Sequence, residues 1–169
     1  MTLGDQSEMQ APADASPSEP TVLIVDDNET SIDQILASLD GYDVIAATSG
    51  ADALAIIESE HVDLVLLDIM MPGIDGLEVC QRLRSDSQTR DLPVVFITAS
   101  TDDATIEKAY AAGADDYVTK PVRRVELLAR VRTQLERKQQ IRQLRHRNSE
   151  LNVAREALYA SDERHRLAM

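Results

Sequence analysis

The chain has 169 residues, 28% of them charged and 43% hydrophobic, a balance that excludes wholesale disorder, collagen-like repeats and membrane-protein composition. A single cysteine, Cys80, and three scattered histidines, His61, His146 and His165, exclude an intrachain disulfide and the ligand spacings of a zinc site. The net charge of −13 is unevenly spread: residues 1–120 hold 5 basic and 24 acidic groups, and residues 121–169 hold 12 basic and 6 acidic.

Two expectations about surroundings follow. No run of about 18 apolar residues occurs, and the N-terminus lacks the basic and apolar regions of a signal peptide, so a cytoplasmic protein without a membrane partner is expected. The acidic part repels nucleic acid. The basic part interleaves its charges with Glu and has no set of stacking aromatics, so no direct nucleic-acid partner is expected either.

Residues 1–20 contain three prolines and four acidic residues with almost no large apolar side chain, which predicts a flexible tail. From Thr21 onward, short apolar runs alternate five times with longer amphipathic stretches, the pattern of a parallel α/β sheet. The runs are Thr21 to Val25, Asp43 to Ala47, Leu64 to Leu67, Val94 to Ile97 and Asp116 to Thr119. The third is the most apolar and is predicted to be central. Between them, Ile32, Ile35, Leu36 and Leu39 have helical spacing before Gly41. Ala51, Leu54, Ala55 and Glu58 mark a second helix, Leu77 to Leu83 a third and Ala104 to Ala112 a fourth.

In an open parallel sheet the ligand lies beyond the carboxyl ends of the strands. Those ends carry Asp26 and Asp27, Asp68, Thr98 and Lys120. Three carboxylates gathered at one edge repel one another unless a hard cation neutralises them, and Mg²⁺ prefers such oxygen ligands. With that charge balanced, Asp68 is a candidate nucleophile toward a phosphoryl group, with Thr98 and Lys120 as contacts to its oxygens. Taken alone, Asp26 and Asp27 would serve equally well as a helix N-cap pair.

The combined motifs resemble the receiver domains of two-component response regulators, of the chemotaxis-regulator type. The resemblance spans about Thr21 to Leu135. It rests on Val25-Asp26-Asp27-Asn28, on Leu66-Leu67-Asp68-Ile69-Met70-Met71-Pro72-Gly73-Ile74-Asp75-Gly76, on Thr98-Ala99, on Gly113-Ala114-Asp115-Asp116-Tyr117 and on Lys120-Pro121. It implies a flavodoxin-like (βα)5 fold with a five-stranded doubly wound parallel sheet. It further implies that Asp68 accepts a phosphoryl group from a sensor histidine kinase or phosphotransfer protein. Asp27 would bind Mg²⁺ directly, Asp26 mainly through water, and the Met70 carbonyl would add a ligand. Lys120 would pair with the phosphoryl group, the Thr98 hydroxyl and Ala99 N–H would move onto it, and Tyr117 would rotate into the space vacated. Such a module is a signalling domain and not an enzyme beyond its own phosphorylation. A haloacid-dehalogenase-like phosphatase would need an Asp two residues after the nucleophile, where Met70 stands, and a dinucleotide site would need a Gly-rich loop.

From Arg123 to Tyr159 there is neither Gly nor Pro, so a helix of 37 residues is predicted, about 55 Å long. Ile141, Leu144, Asn148, Leu151, Arg155 and Leu158 alternate in steps of three and four, the a and d positions of a coiled coil, with Asn148 favouring a parallel pair. The receiver's own stripe, Leu128, Val131 and Leu135, is out of frame with that seam by one residue. The domain organisation expected is a tail over 1–20, a receiver over 21–135, a signalling coiled coil over 136–160 and a linker over 161–169. Residues 160–169 resemble the helix leading into PAS sensor domains, which implies a covalently linked output domain such as PAS, diguanylate cyclase or kinase. The module would act as a homodimer. The alternative is a dimerisation scaffold that works without phosphorylation.

Overall fold

The computed structural model describes residues 19–167; most of the expected N-terminal tail, residues 1–18, and the last two residues of the expected linker lie outside them. Five strands form one parallel sheet: β1 (Thr21–Val25), β2 (Asp43–Ala47), β3 (Leu64–Asp68), β4 (Val94–Thr98) and β5 (Asp116–Thr119). Their order is β2-β1-β3-β4-β5, the flavodoxin-like arrangement, with β3 central. The helices are α1 (Glu29–Leu36), α2 (Gly50–Ser59), α3 (Gly76–Ser85), α4 (Asp103–Ala111) and α5 (Arg124–Leu167). None of the described helices is long and apolar enough to cross a membrane.

The apolar runs become strands because both faces of the sheet are covered. One face carries Leu23, Val65, Leu67 and Phe96 against Ala53 of α2, Val79, Cys80 and Leu83 of α3 and Ala109 of α4. The other carries Val22, Ile24, Leu66 and Ile97 against Ile32 and Ile35 of α1 and Leu127 and Val131 of α5. Residues of β3 and β4 are buried throughout, whereas edge strand β2 is buried fully only at Ala47, which explains its weaker pattern.

Side-chain caps fix where the helices start. Asn28, Ser49, Asp75 and Asp102 each accept a hydrogen bond from a backbone N–H three residues on, at the starts of α1, α2, α3 and α4. Helix α1 ends at Leu36, before the expected stop; a turn carries the chain to Leu39, still buried, and to Gly41, whose φ of 86° is the left-handed conformation glycine accepts readily. Helix α5 runs past Tyr159 to Leu167, since nothing in Ala160 to Arg166 breaks it.

Candidate functional site

Four of the five strands deliver a polar residue to one edge of the sheet. Asp26 and Asp27 follow β1, Asp68 ends β3, Thr98 ends β4 and Lys120 follows β5. A carboxylate oxygen from each of Asp26, Asp27 and Asp68 lies within 4.8 Å of the others. Asp26 and Asp68 are buried, while Asp27 faces solvent. The Lys120 ammonium donates to Asp26 Oδ2 at 2.8 Å and to Asp68 Oδ2 at 3.2 Å, tying residues 94 and 52 positions away into one cluster. The Lys120-Pro121 peptide is cis.

The N-cap alternative for the acidic pair does not hold, because Asn28 caps α1 and Asp26 Oδ1 instead accepts from the Asn28 N–H at 2.9 Å. Both carboxylates are therefore left to the cluster. Asp68 Oδ1 accepts from the Met70 N–H at 3.3 Å, and the Met70 side chain turns outward, 78% exposed.

Of the three carboxylates, Asp26 and Asp68 share one ammonium and Asp27 makes no ion pair among the described residues. Burial pushes the Asp68 carboxyl above its ordinary pKa; Lys120 opposes that rise and the neighbouring Asp26 charge adds to it. Burial also works against the Lys120 charge, yet the hydrogen bond to Asp26 and the attraction of both carboxylates outweigh it and raise its pKa. The donor set is all oxygen with a surplus negative charge, which fits a hard divalent cation.

The Thr98 hydroxyl, itself buried, is engaged with the next loop: it accepts from the Ser100 N–H at 3.0 Å and donates to the Ser100 carbonyl at 3.4 Å. Ala99, between them, is exposed. Tyr117 pairs with Phe96 across β4 and β5, so Thr98, two residues beyond Phe96, stands on the same face of the sheet. The Tyr117 ring is half-buried and meets Tyr110 of α4 edge-on, 6.0 Å between centroids. Ile141, Leu144, Asn148, Leu151 and Leu158 lie far along α5, away from this edge, and all are exposed.

Two supports have roles that the sequence alone does not show, although Gly76 closes the receiver-like motif. Gly76 begins α3 against the end of β3, and a Cβ there would collide with the Asp68 carbonyl oxygen, so only glycine lets the helix start so close to β3. Its place in the Asp75-Gly76 pair after the loop was the available signal. Arg84 of α3 donates to the carbonyls of Gly113, Arg90 and Leu92 and to Asp115, holding the approaches to β4 and β5; contacts of this range leave no periodic trace.

Residues 22–132 match the response regulator receiver domain family. Among curated relatives, the chain is 41% identical over 135 residues to the DNA-binding dual master transcriptional regulator RpaA of Synechocystis, covering 79% of this chain and 56% of that protein. It is 41% identical over 118 residues to the DNA-binding response regulator MtrA of Mycolicibacterium smegmatis, covering 69% and 50%. A CheY-like response regulator receiver domain protein from Methanospirillum hungatei superimposes with a TM-score of 0.67 at 29% identity, over 73% of this chain and 98% of that one. The chain thus spans about half the length of the curated relatives it matches.

These relatives correct the expectation of no nucleic-acid partner: RpaA and MtrA are DNA-binding regulators. The expectation rested on the charges of this chain alone, which carry no information about the half of the relatives that it does not match. Sheet order, strand-end residues and family match agree, and the chain belongs to the response regulator receiver domain family.

Proposed function

We propose that this protein is the phosphoacceptor module of a response regulator, with Asp68 as the acceptor. The observation that carries the reading is the cluster in which Lys120 spans Asp26 and Asp68 at 2.8 and 3.2 Å beside Asp27. Asp26, Asp27 and Asp68, with the Met70 carbonyl, would hold Mg²⁺, which when bound supplies the positive charge that lets a phosphoryl group approach three carboxylates. An Asp68 carboxylate oxygen attacks the phosphorus of a phosphohistidine on a sensor kinase or phosphotransfer protein. A P–O bond forms as the P–N bond breaks, and the imidazole departs with the electron pair. Lys120 then exchanges its carboxylate contact for a phosphoryl oxygen. Thr98 gives up Ser100 for another phosphoryl oxygen, the Ala99 N–H follows, and the loop they carry draws inward and frees space for Tyr117.

The division into a receiver over 21–135 and a coiled-coil arm over 136–160 suits this role. In the arm, Ile141, Leu144, Asn148, Leu151 and Leu158 form the seam of a homodimer that passes the switch to an output segment. The DNA-binding relatives favour an output that reads DNA over PAS, cyclase or kinase domains, and such a protein works in the cytoplasm. The module has no enzymatic role beyond its own phosphorylation.

Incubation with acetyl phosphate and Mg²⁺ is expected to place one acid-labile phosphate on the wild-type chain and none on Asp68→Asn. Labelling that persists in Asp68→Asn would overturn the assignment.

A further inference from the structure

At the amino ends of β3, β4 and β5, a strand's length from Asp68, α5 leans back over the receiver and closes a groove of about 500 Å³. Its floor is the chain just before those strands, and Val62, Leu92 and Pro93 there are buried; Ile141 of α5 forms part of the opposite wall. Two ion pairs hold the helix in place. Lys138 reaches the Asp63 carbonyl at 3.1 Å and its carboxylate at 3.5 Å, and Arg145 reaches Asp91 at 2.6 Å.

The groove is basic on an acidic protein. Six Lys and Arg side chains line it against three carboxylates, in a chain of net charge −13. Arg84, Lys138 and Arg145 have acidic partners, but Arg90, Arg137 and Arg142 have none within 4.0 Å among the described residues. Arg90 comes from the receiver and the other two from α5, so arginines without an acidic partner line the groove on both walls, all three of them exposed to solvent and to a ligand entering it. The crowding is felt locally: burial, with the Arg142 charge behind it, pulls the Lys138 ammonium below its ordinary pKa despite Asp63. Guanidinium forks match phosphate oxygens in geometry and charge, and a cavity of this size with an apolar floor takes a ligand of nucleotide dimensions.

We infer that this groove is a second ligand site, for a small molecule carrying two or more linked phosphates, held between Arg90 on the receiver and Arg137 and Arg142 on α5. Such a ligand bridges the receiver to its helical arm, so its binding stiffens the joint that the phosphorylation signal must cross. The site is independent of Asp68.

The test is calorimetric titration of the full chain, in magnesium-free buffer, with ADP and separately with inorganic pyrophosphate. Saturable binding of one molecule per chain is expected. It should weaken at least tenfold in Arg137→Ala/Arg142→Ala and in Arg90→Ala, and remain unchanged in Arg155→Ala, further along the same helix; circular dichroism confirms that each variant is folded. Both probes binding supports the site, and tighter binding of ADP than of pyrophosphate assigns the apolar floor to the base. Three results would overturn the inference: no saturable binding of either probe, binding that survives in both groove variants, or tighter binding of a single-stranded 12-mer at the same arginines.

Discussion

From Thr21 to Leu135 the large apolar side chains are covered, apart from Leu36, Met70, Tyr110 and Val125, whereas Ile141, Leu144, Leu151, Val153, Leu158 and Tyr159 of the arm stand 39–73% exposed. The two regions meet in one continuous helix, α5, whose root buries Leu127 and Val131 completely. The contrast separates two sources of order. The receiver is held by its own core, and the arm, past its ion pairs to Asp63 and Asp91, is held by helix propensity with its apolar side chains exposed.

The largest expected effect lies in the core. Phe96 of β4 is fully buried in the core on one sheet face, and Phe96→Ala should cost about 3–5 kcal/mol in urea unfolding. A loss no larger than that of an exposed arm residue would erase the contrast. Next comes Gly76→Ala, whose added Cβ meets the Asp68 carbonyl; a cost of about 1–3 kcal/mol is expected, together with slower labelling of Asp68 because the acceptor strand must shift.

Asp63 sharpens the comparison where the regions touch. Burial raises its pKa, but the Thr21 N–H, Lys138 and His61 outweigh burial and leave it below the ordinary carboxylate value. A carboxylate with a lowered folded-state pKa stabilises the fold above its unfolded pKa and loses that contribution as pH falls through the folded one. The melting temperature of the wild type should therefore exceed that of Asp63→Asn at pH 6, and the gap should close as the pH is lowered toward 2. A gap independent of pH would mean that the Asp63 charge contributes nothing. The smallest stability effect is expected at Leu151→Ala, within about 0.5 kcal/mol for the receiver's unfolding. The same substitution should weaken self-association in sedimentation equilibrium, which a solitary arm would not show.

The strands and the candidate site edge were legible because burial on both faces writes continuous apolar runs, and four of the five runs end at or just before a polar residue of the cluster. Asp68, Thr98 and Lys120 fall at strand ends whatever the loops do. Other features depend on contacts across the sequence. Asn28 and not the acidic pair caps α1, a choice between adjacent polar residues that spacing does not decide. Within α5 the deepest positions are Leu127 and Val131, with polar Gln134 buried beside them, because α5 presses its flank on the sheet and then lies across the strand starts. The groove and the Arg84 staple join residues dozens of positions apart, which no local pattern records.

The central claim is that Asp68 and the arm belong to one switch. Its most direct test is the distance between two arms, measured by pulsed electron spin resonance on a label at Ser161→Cys; the native Cys80 is fully buried and out of reach of the label. With Mg²⁺ present, adding beryllofluoride as a phosphoryl mimic should change the inter-arm distance distribution in the otherwise wild-type chain and leave it unchanged in Asp68→Asn. Identical distributions with and without the mimic in the wild-type background would contradict the account.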